Sequence, residues 1–199
     1  ALLLAVLRRI PEGDRMVREG RWAGGELFPL GRSPKGKRIG IVGLGQIGRA
    51  LGERAEAFGM AVRYWNRSNI TDTAWVRHET LVELARDSDI LAVCIAASPA
   101  TQSIVNADVL SALGPTGILV NVARGSVVDE DALLAALNAG TIAGAGLDVF
   151  VSEPRIREDF YRAPNTVLMP HQGSATIETR EAMGELVLAN IAAYLAGEQ

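Results

Sequence analysis

The sequence holds one cysteine, Cys94, so no internal disulfide can form. A lone thiol fits a reducing compartment, and a cytoplasmic location is the expectation. Long apolar runs are missing as well. The longest, residues 90–97, is far too short to cross a bilayer. A basic excess is also missing: 20 Lys and Arg stand against 23 Asp and Glu, a formal net charge of −3. That balance removes any general pull on nucleic acid or an anionic membrane. There are two histidines, and no His/Cys/Asp group has metal-ligand spacing, so no metal site is expected. The apolar opening, residues 1–7, lacks the basic segment that should precede a signal-peptide core; Arg8 and Arg9 follow it instead. The chain starts without Met, inside an apolar helical run with no N-cap, and reads as the interior of a longer protein.

What is present is ordinary for a globular chain: 199 residues, 48% apolar and 22% charged. That length suits one large domain, or one domain with appendages, with a core that needs no disulfide or metal. Residues 1–20 read as helix, broken near Pro11-Glu12-Gly13, and the glycine-rich stretch 20–37 reads as a connection. Short apolar runs then alternate with helical segments. Strands are expected at 39–42, 61–65, 90–95, 117–121, 142–149 and 166–169, with helices at 46–58, 80–86, 106–112, 130–139 and 176–195. Strands that are apolar throughout and alternate with helices mean a parallel sheet covered on both faces. The expected layout is an N-terminal helical, dimerising segment with its connection at 1–30, a dinucleotide-binding domain at 31–170, and a loop plus C-terminal helix at 171–199.

Gly43-Leu44-Gly45-Gln46-Ile47-Gly48 follows the first strand and opens the first helix of that domain. The first glycine permits the tight turn, the second lets the backbone approach a pyrophosphate, and the third lets helix and strand pack closely. The helix N-terminus offers N–H groups and partial positive charge to the phosphates. This setting points to a Rossmann-type doubly wound α/β fold. An NAD site normally has an acid at the end of the second strand for the ribose 2′-OH. Here that stretch is Asn66-Arg67-Ser68, and the next acid is Asp72. Arg67, with Asn66 and Ser68, can bond a 2′-phosphate that an acid would repel. NADP(H) is the expected coenzyme, with NAD(H) as the alternative.

Four motifs run nearly end to end: Gly43-Leu-Gly-Gln-Ile-Gly-Arg49; Asn121-Val-Ala-Arg-Gly-Ser126; Gly144-Ala-Gly-Leu-Asp-Val-Phe150 with Glu153-Pro154; and Pro170-His-Gln-Gly-Ser-Ala175. In this order the chain resembles the D-2-hydroxyacid dehydrogenases, particularly the glyoxylate, hydroxypyruvate and hydroxyphenylpyruvate reductases. Their substrate-binding lobe, mostly N-terminal to such a segment, has no counterpart here. The resemblance implies hydride transfer between nicotinamide and C2 of a small 2-keto or 2-hydroxy acid. It implies that Arg124 binds the substrate carboxylate and polarises the carbonyl, for which a planar guanidinium is suited. It implies that His171 is the acid–base, as a group titrating near neutrality can be. Glu153, 18 residues earlier, would hydrogen-bond that imidazole. Asp148 would accept from the nicotinamide carboxamide. Ala96, Pro99, Thr101, Val122, Ala123 and Gly173 would complete the coenzyme contacts, beside Arg124 and His171 themselves.

Two departures from the family pattern stand out: Gln172 replaces a small or branched apolar residue, and Ala96-Ala97-Ser98 replaces a bulkier segment. Neither removes a catalytic group. Cys94 reads as a core residue and His78 as an exposed one. The resemblance also implies a homodimer, and residues 1–7, apolar almost all round, with Trp22 in a glycine-rich stretch, suggest its interface. The segment alone is expected to bind coenzyme but to turn over poorly, because a closing lobe normally orients substrate and excludes water. Two competing readings are a dinucleotide-sensing corepressor, for which no partner-docking tail is visible, and a binding module only. A formate dehydrogenase would be expected to carry Gln where Glu153 stands.

Overall fold

A computed structural model describes residues 1–197. It divides into two units, Ala1–Met169 and Pro170–Gln199.

The first unit is built on seven parallel strands: β1 (Arg38–Val42), β2 (Ala61–Trp65), β3 (Val76–Arg77), β4 (Ile90–Val93), β5 (Ile118–Asn121), β6 (Gly144–Leu147) and β7 (Thr166–Leu168). Their spatial order is β3-β2-β1-β4-β5-β6-β7. The order reverses between β1 and β4, where open parallel sheets form a ligand crevice at their carboxyl edge. Helices α1 (Leu2–Leu7), α2 (Ile10–Arg18), α3 (Gln46–Ala57), α4 (Leu81–Arg86), α5 (Ala107–Leu113) and α6 (Glu130–Asn138) accompany the sheet. One core joins Leu84, Leu110 and Leu133 to Leu91 and Leu119 on the α4–α6 side; the other joins Leu7 and Ala55 to Ile39, Ile41 and Ile90. Burial on both faces is why β1, β4 and β5 read as unbroken apolar runs rather than as alternation.

Local chemistry sets the helix ends. Thr80 and Glu83 form a reciprocal capping box on α4. Asn106 and Asp129 cap α5 and α6 through their side chains. Three elements depart from the sequence reading. Pro11 does not break the N-terminal helix but opens α2, where its missing N–H has no helical partner to lose; the break falls at Arg8–Arg9, with Arg9 left-handed at φ +53°. β3 was not expected at all, since Val76-Arg77 is two residues long in a charged stretch. And α1 has an intramolecular partner. Gly146 and Gly144 in β6 leave a floor so flat that an added Cβ would stand 3.0 Å from Leu2 Cβ and 3.3 Å from Val6 Cγ1, respectively. Leu7 is buried there, and its carbonyl accepts from Arg32 N at 2.8 Å.

The second unit holds helix α7 (Ile177–Ala196), capped at its start by Thr176 and closed by left-handed Gly197.

Candidate coenzyme and active site

Every sequence-predicted group of the first unit follows the carboxyl end of a strand, so all of them share one edge of the sheet. Gly43 follows β1 with φ +93°, a conformation that favours glycine. Its N–H donates to Trp65 O at 2.9 Å, which extends the β1–β2 pairing and sets Asn66 beside the glycine loop. On the other side a Cβ at Gly43 would lie 2.6 Å from Ile95 Cα, the residue that leads into 96–101. A Cβ at Gly48 would meet Gly43 O at 2.3 Å, so the third glycine lets α3 start directly against the loop. Gly45 faces open space, with no atom within 4 Å of a Cβ there. It is also the N-cap of α3 and gives that helix no side-chain cap. Open space over backbone, at an uncapped helix start, fits a pyrophosphate. The donor set of a dinucleotide site is therefore present. Gln46 and Ile47 are exposed in the first turn of α3.

Beyond β2, the amide of Asn66 is spent on its own turn, donating to Ser68 O at 3.1 Å and Ser68 Oγ at 3.2 Å. Arg67 is exposed between them. The nearest following acid, Asp72, is paired with Arg49 of α3, which holds its carboxyl below the usual carboxylate range. Beyond β4, Thr101 organises the loop that the resemblance marks through Ala96, Pro99 and Thr101. Its Oγ1 accepts from Ser98 N at 2.8 Å and donates to Ala96 O at 3.0 Å.

Arg124 lies beyond β5, exposed, its Nη1 donating to Ala123 O at 2.6 Å. Two residues whose roles the sequence reading passed over build its turn. Asn121 is buried; its Oδ1 accepts from Ala123 N and its Nδ2 donates to Arg124 O, both at 3.0 Å. A lone amide ending an apolar strand was the available signal. Gly125 is the second: a Cβ there would fall 2.0 Å from Phe150 C and 2.3 Å from Val151 N. The Arg124 turn thus lies against the segment that carries Glu153. That segment follows β6, where Asp148 is buried and its N–H donates to Asn121 O at 3.0 Å. Glu153 folds back on it, Oε1 accepting from Phe150 N at 2.7 Å. Val122 and Ala123 sit within the Arg124 turn, half-buried and buried respectively. Arg124 and Glu153 are thus held on touching backbone segments of the first unit.

His171 and Gly173 belong to the second unit. His171 is exposed, with a left-handed backbone at φ +55°, a region that non-glycine residues enter at some cost. Gln172 donates to Pro170 O at 3.3 Å.

Cys94 is largely buried, and burial pushes its thiol up to about 11. His78 is not exposed: its side chain is half-buried, with Nε2 3.3 Å from Asp87 Oδ2. Among the described residues no group of three or more His, Cys, Asp or Glu could hold a metal ion, and no helix is long and apolar enough to cross a membrane.

Sheet order, glycine loop and uncapped helix define a dinucleotide-binding α/β domain. Residues 1–173 match the family model described as D-isomer specific 2-hydroxyacid dehydrogenase, NAD binding domain, and the chain belongs to that family. It is 48% identical over 197 residues to hydroxyphenylpyruvate reductase of Plectranthus scutellarioides, matching 99% of this chain and 63% of that protein. A dehydrogenase structure from Rhizobium meliloti superposes with a TM-score of 0.81 at 62% identity, over 100% of this chain and 61% of the other. The NADPH-dependent glyoxylate/hydroxypyruvate reductase of Sinorhizobium meliloti, solved with NADP and malonate, superposes at 0.93 with 47% identity, over 98% of this chain and 61% of that one. The chain spans less than two thirds of the length of these relatives.

Proposed function

We propose that the whole protein reduces small D-2-hydroxyacid precursors, glyoxylate or hydroxypyruvate among them, using NADPH. The observation that carries this reading is the contact of Gly125 with Phe150 and Val151, which holds the Arg124 turn against the segment of Glu153 at the edge where the coenzyme loop lies. The Sinorhizobium meliloti relative, by its description an NADPH-dependent glyoxylate/hydroxypyruvate reductase, supports both substrate class and coenzyme.

In this reading bound NADPH supplies the hydride that ends on C2 of the keto acid. Arg124 takes the substrate carboxylate through paired N–H donors and draws electron density toward the carbonyl oxygen. His171 donates the proton that oxygen needs, and in the reverse direction removes it. Glu153, whose Oε1 accepts from Phe150 N, is the group that hydrogen-bonds the imidazole. Asp148 holds the nicotinamide carboxamide. Arg67 and Ser68 take the 2′-phosphate: Ser68 Oγ accepts from Asn66 and keeps its own proton to donate. Pairing of Asp72 with Arg49 removes the nearest acid from competition for that site.

A second copy of this chain is the proposed partner. Trp22, Leu27 and Leu30 are 66%, 91% and 94% exposed on the connection after α2, with Ile10 and Val17 also exposed on α2.

Steady-state assay of the whole protein tests the reaction. Glyoxylate or hydroxypyruvate should be reduced with NADPH, and His171→Ala should lose roughly 10²–10⁴-fold in rate. Absence of turnover with both acids rejects the reading.

A further inference from the structure

The loop from Asn66 to Trp75, which joins β2 to β3, is fastened along α3 at several points, and one of them is unusual. Gly52 lies in the interior of α3, where glycine costs about 1 kcal/mol relative to alanine. No left-handed angle explains it. Space does: a Cβ at Gly52 would stand 2.2 Å from Trp75 Cη2 and 2.6 Å from Cζ3. The indole lies directly on the helix backbone, and its Nε1 donates to Glu56 Oε1, one turn further along α3, at 2.9 Å. Nearer the middle of the loop, Tyr64, itself buried, donates its hydroxyl to Ile70 O at 3.1 Å. Asp72 pairs with Arg49 one turn before Gly52. At its start the loop is closed by Asn66 over Ser68, with Arg67 at the exposed turn.

We infer that Trp75, seated on Gly52, is a positioning residue for coenzyme selection: it holds the far end of this loop so that Arg67 and Ser68 are already placed for a 2′-phosphate. The inference rests on the proposal that Arg67 and Ser68 receive that phosphate. An exposed arginine on a loose loop must be ordered when it binds, and that ordering subtracts from affinity. Fastening the loop to a helix removes most of that cost beforehand. NADH shares the glycine loop and the α3 start but lacks the phosphate, so it does not draw on the fastened turn. The glycine in α3 and the tryptophan 23 residues later then form one device, a recess and its occupant.

The test is titration of the chain with NADPH and with NADH, followed by the coenzyme's own fluorescence so that loss of a tryptophan does not disturb the signal. Trp75→Ala should weaken NADPH by about three- to tenfold and NADH by less than about twofold, the larger change corresponding to roughly 1.4 kcal/mol. Gly52→Ala, which alters no loop residue but displaces the indole from its recess, should act in the same direction. Trp75→Phe keeps a ring on Gly52 and should restore most of the NADPH affinity. Far-ultraviolet circular dichroism establishes that each variant is folded. Equal loss for both coenzymes, or an unchanged ratio of their affinities in Trp75→Ala and Gly52→Ala, overturns the inference. Arg67→Ala separates the two levels. If it lowers NADPH affinity while the Trp75 and Gly52 variants do not, phosphate recognition stands and the positioning role falls. If Arg67→Ala leaves the ratio unchanged, the phosphate proposal fails and takes the positioning role with it.

Discussion

Gly125 and Phe150 approach so closely that a methyl group on the glycine would lie 2.0 Å from the Phe150 carbonyl carbon. Two backbone segments, one leaving β5 and one leaving β6, touch where neither has a side chain to spare. Arg124 precedes the glycine, and Glu153 follows the phenylalanine by three residues. Gly125→Ala must therefore push the two segments apart. The expected cost is about 1–3 kcal/mol of stability, with a larger effect on turnover, because a shift near 1 Å between reacting groups can cost on the order of 10²-fold. Coenzyme binding, proposed to rest mainly on the glycine loop after β1, should fall less than turnover. Thermal unfolding, coenzyme titration and kcat/KM of the whole protein check the three parts. Unchanged kcat/KM in a folded variant would dissociate this contact from catalysis.

The sheet was legible because its central strands are buried on both faces and so appear as uninterrupted apolar runs, while Gly43, Gly45 and Gly48 mark the turn into α3. Arg124, Glu153 and His171 were legible only through family motifs; an arginine before a glycine or a lone histidine says little by itself. The parts that escaped are those whose meaning is spatial. Gly144 and Gly146 look like a weak strand until α1 is seen lying on them, and a strand with two glycines was the sign that another backbone comes close. Trp75 and Gly52 are unremarkable separately and become one feature only in three dimensions. His78 reads as exposed from its charged neighbours Arg77 and Glu79, yet those two pair with each other while the imidazole is half-buried against Asp87.

Cys94 offers a direct check of the packing beyond β4. Burial raises its thiol to about 11, so only a minute fraction is thiolate near neutrality, and the thiolate is the reactive form. The folded chain should react with iodoacetamide far more slowly than the same chain in denaturant, by roughly two orders of magnitude or more at pH 8. Mass spectrometry of the time course reads this out. Rapid alkylation under native conditions would show that the segment beyond β4 opens readily.

The proposed dimer can be tested away from both coenzyme and catalytic groups. Leu27 and Leu30 are almost fully exposed, and Trp22 is two-thirds exposed, so replacing them removes no internal packing of comparable size. Light scattering should give twice the chain mass at micromolar concentration. Leu27→Asp with Leu30→Asp should shift it toward the monomer, since unpaired charge in an apolar interface costs several kcal/mol. A wild-type monomer would reject a partner on this surface.

An ion-pair group gathers around the end of α4. Asp87, which ends that helix, accepts from Arg38 Nη1 at 2.7 Å and from Arg63 Nε through its other oxygen, and the imidazole Nε2 of His78 stands 3.3 Å away. Burial alone would raise its pKa. The hydrogen bond from Arg63 and the charges of Arg63, Arg38 and His78 outweigh burial and hold it below the usual carboxylate range. Asp89 is lowered likewise: burial is again outweighed, here by the Arg38 N–H and guanidinium. A carboxylate depressed in the folded state stabilises fully above its unfolded pKa of about 4, and that contribution disappears as pH falls through the folded value. Asp87→Asn keeps the shape but discards the charge. It should lower stability at neutral pH by about 1 kcal/mol, a modest figure because the group is partly open to solvent, and so lower Tm by about 2–4 °C. The gap between wild type and variant should narrow below pH 4, as wild-type Asp87 takes up its proton. Salt should narrow it at neutral pH for the same electrostatic reason. Thermal melts at pH 7 and pH 3, each at low and high ionic strength, provide the comparison. A gap that is constant across pH and salt would assign the effect to packing at the end of α4 instead of to charge.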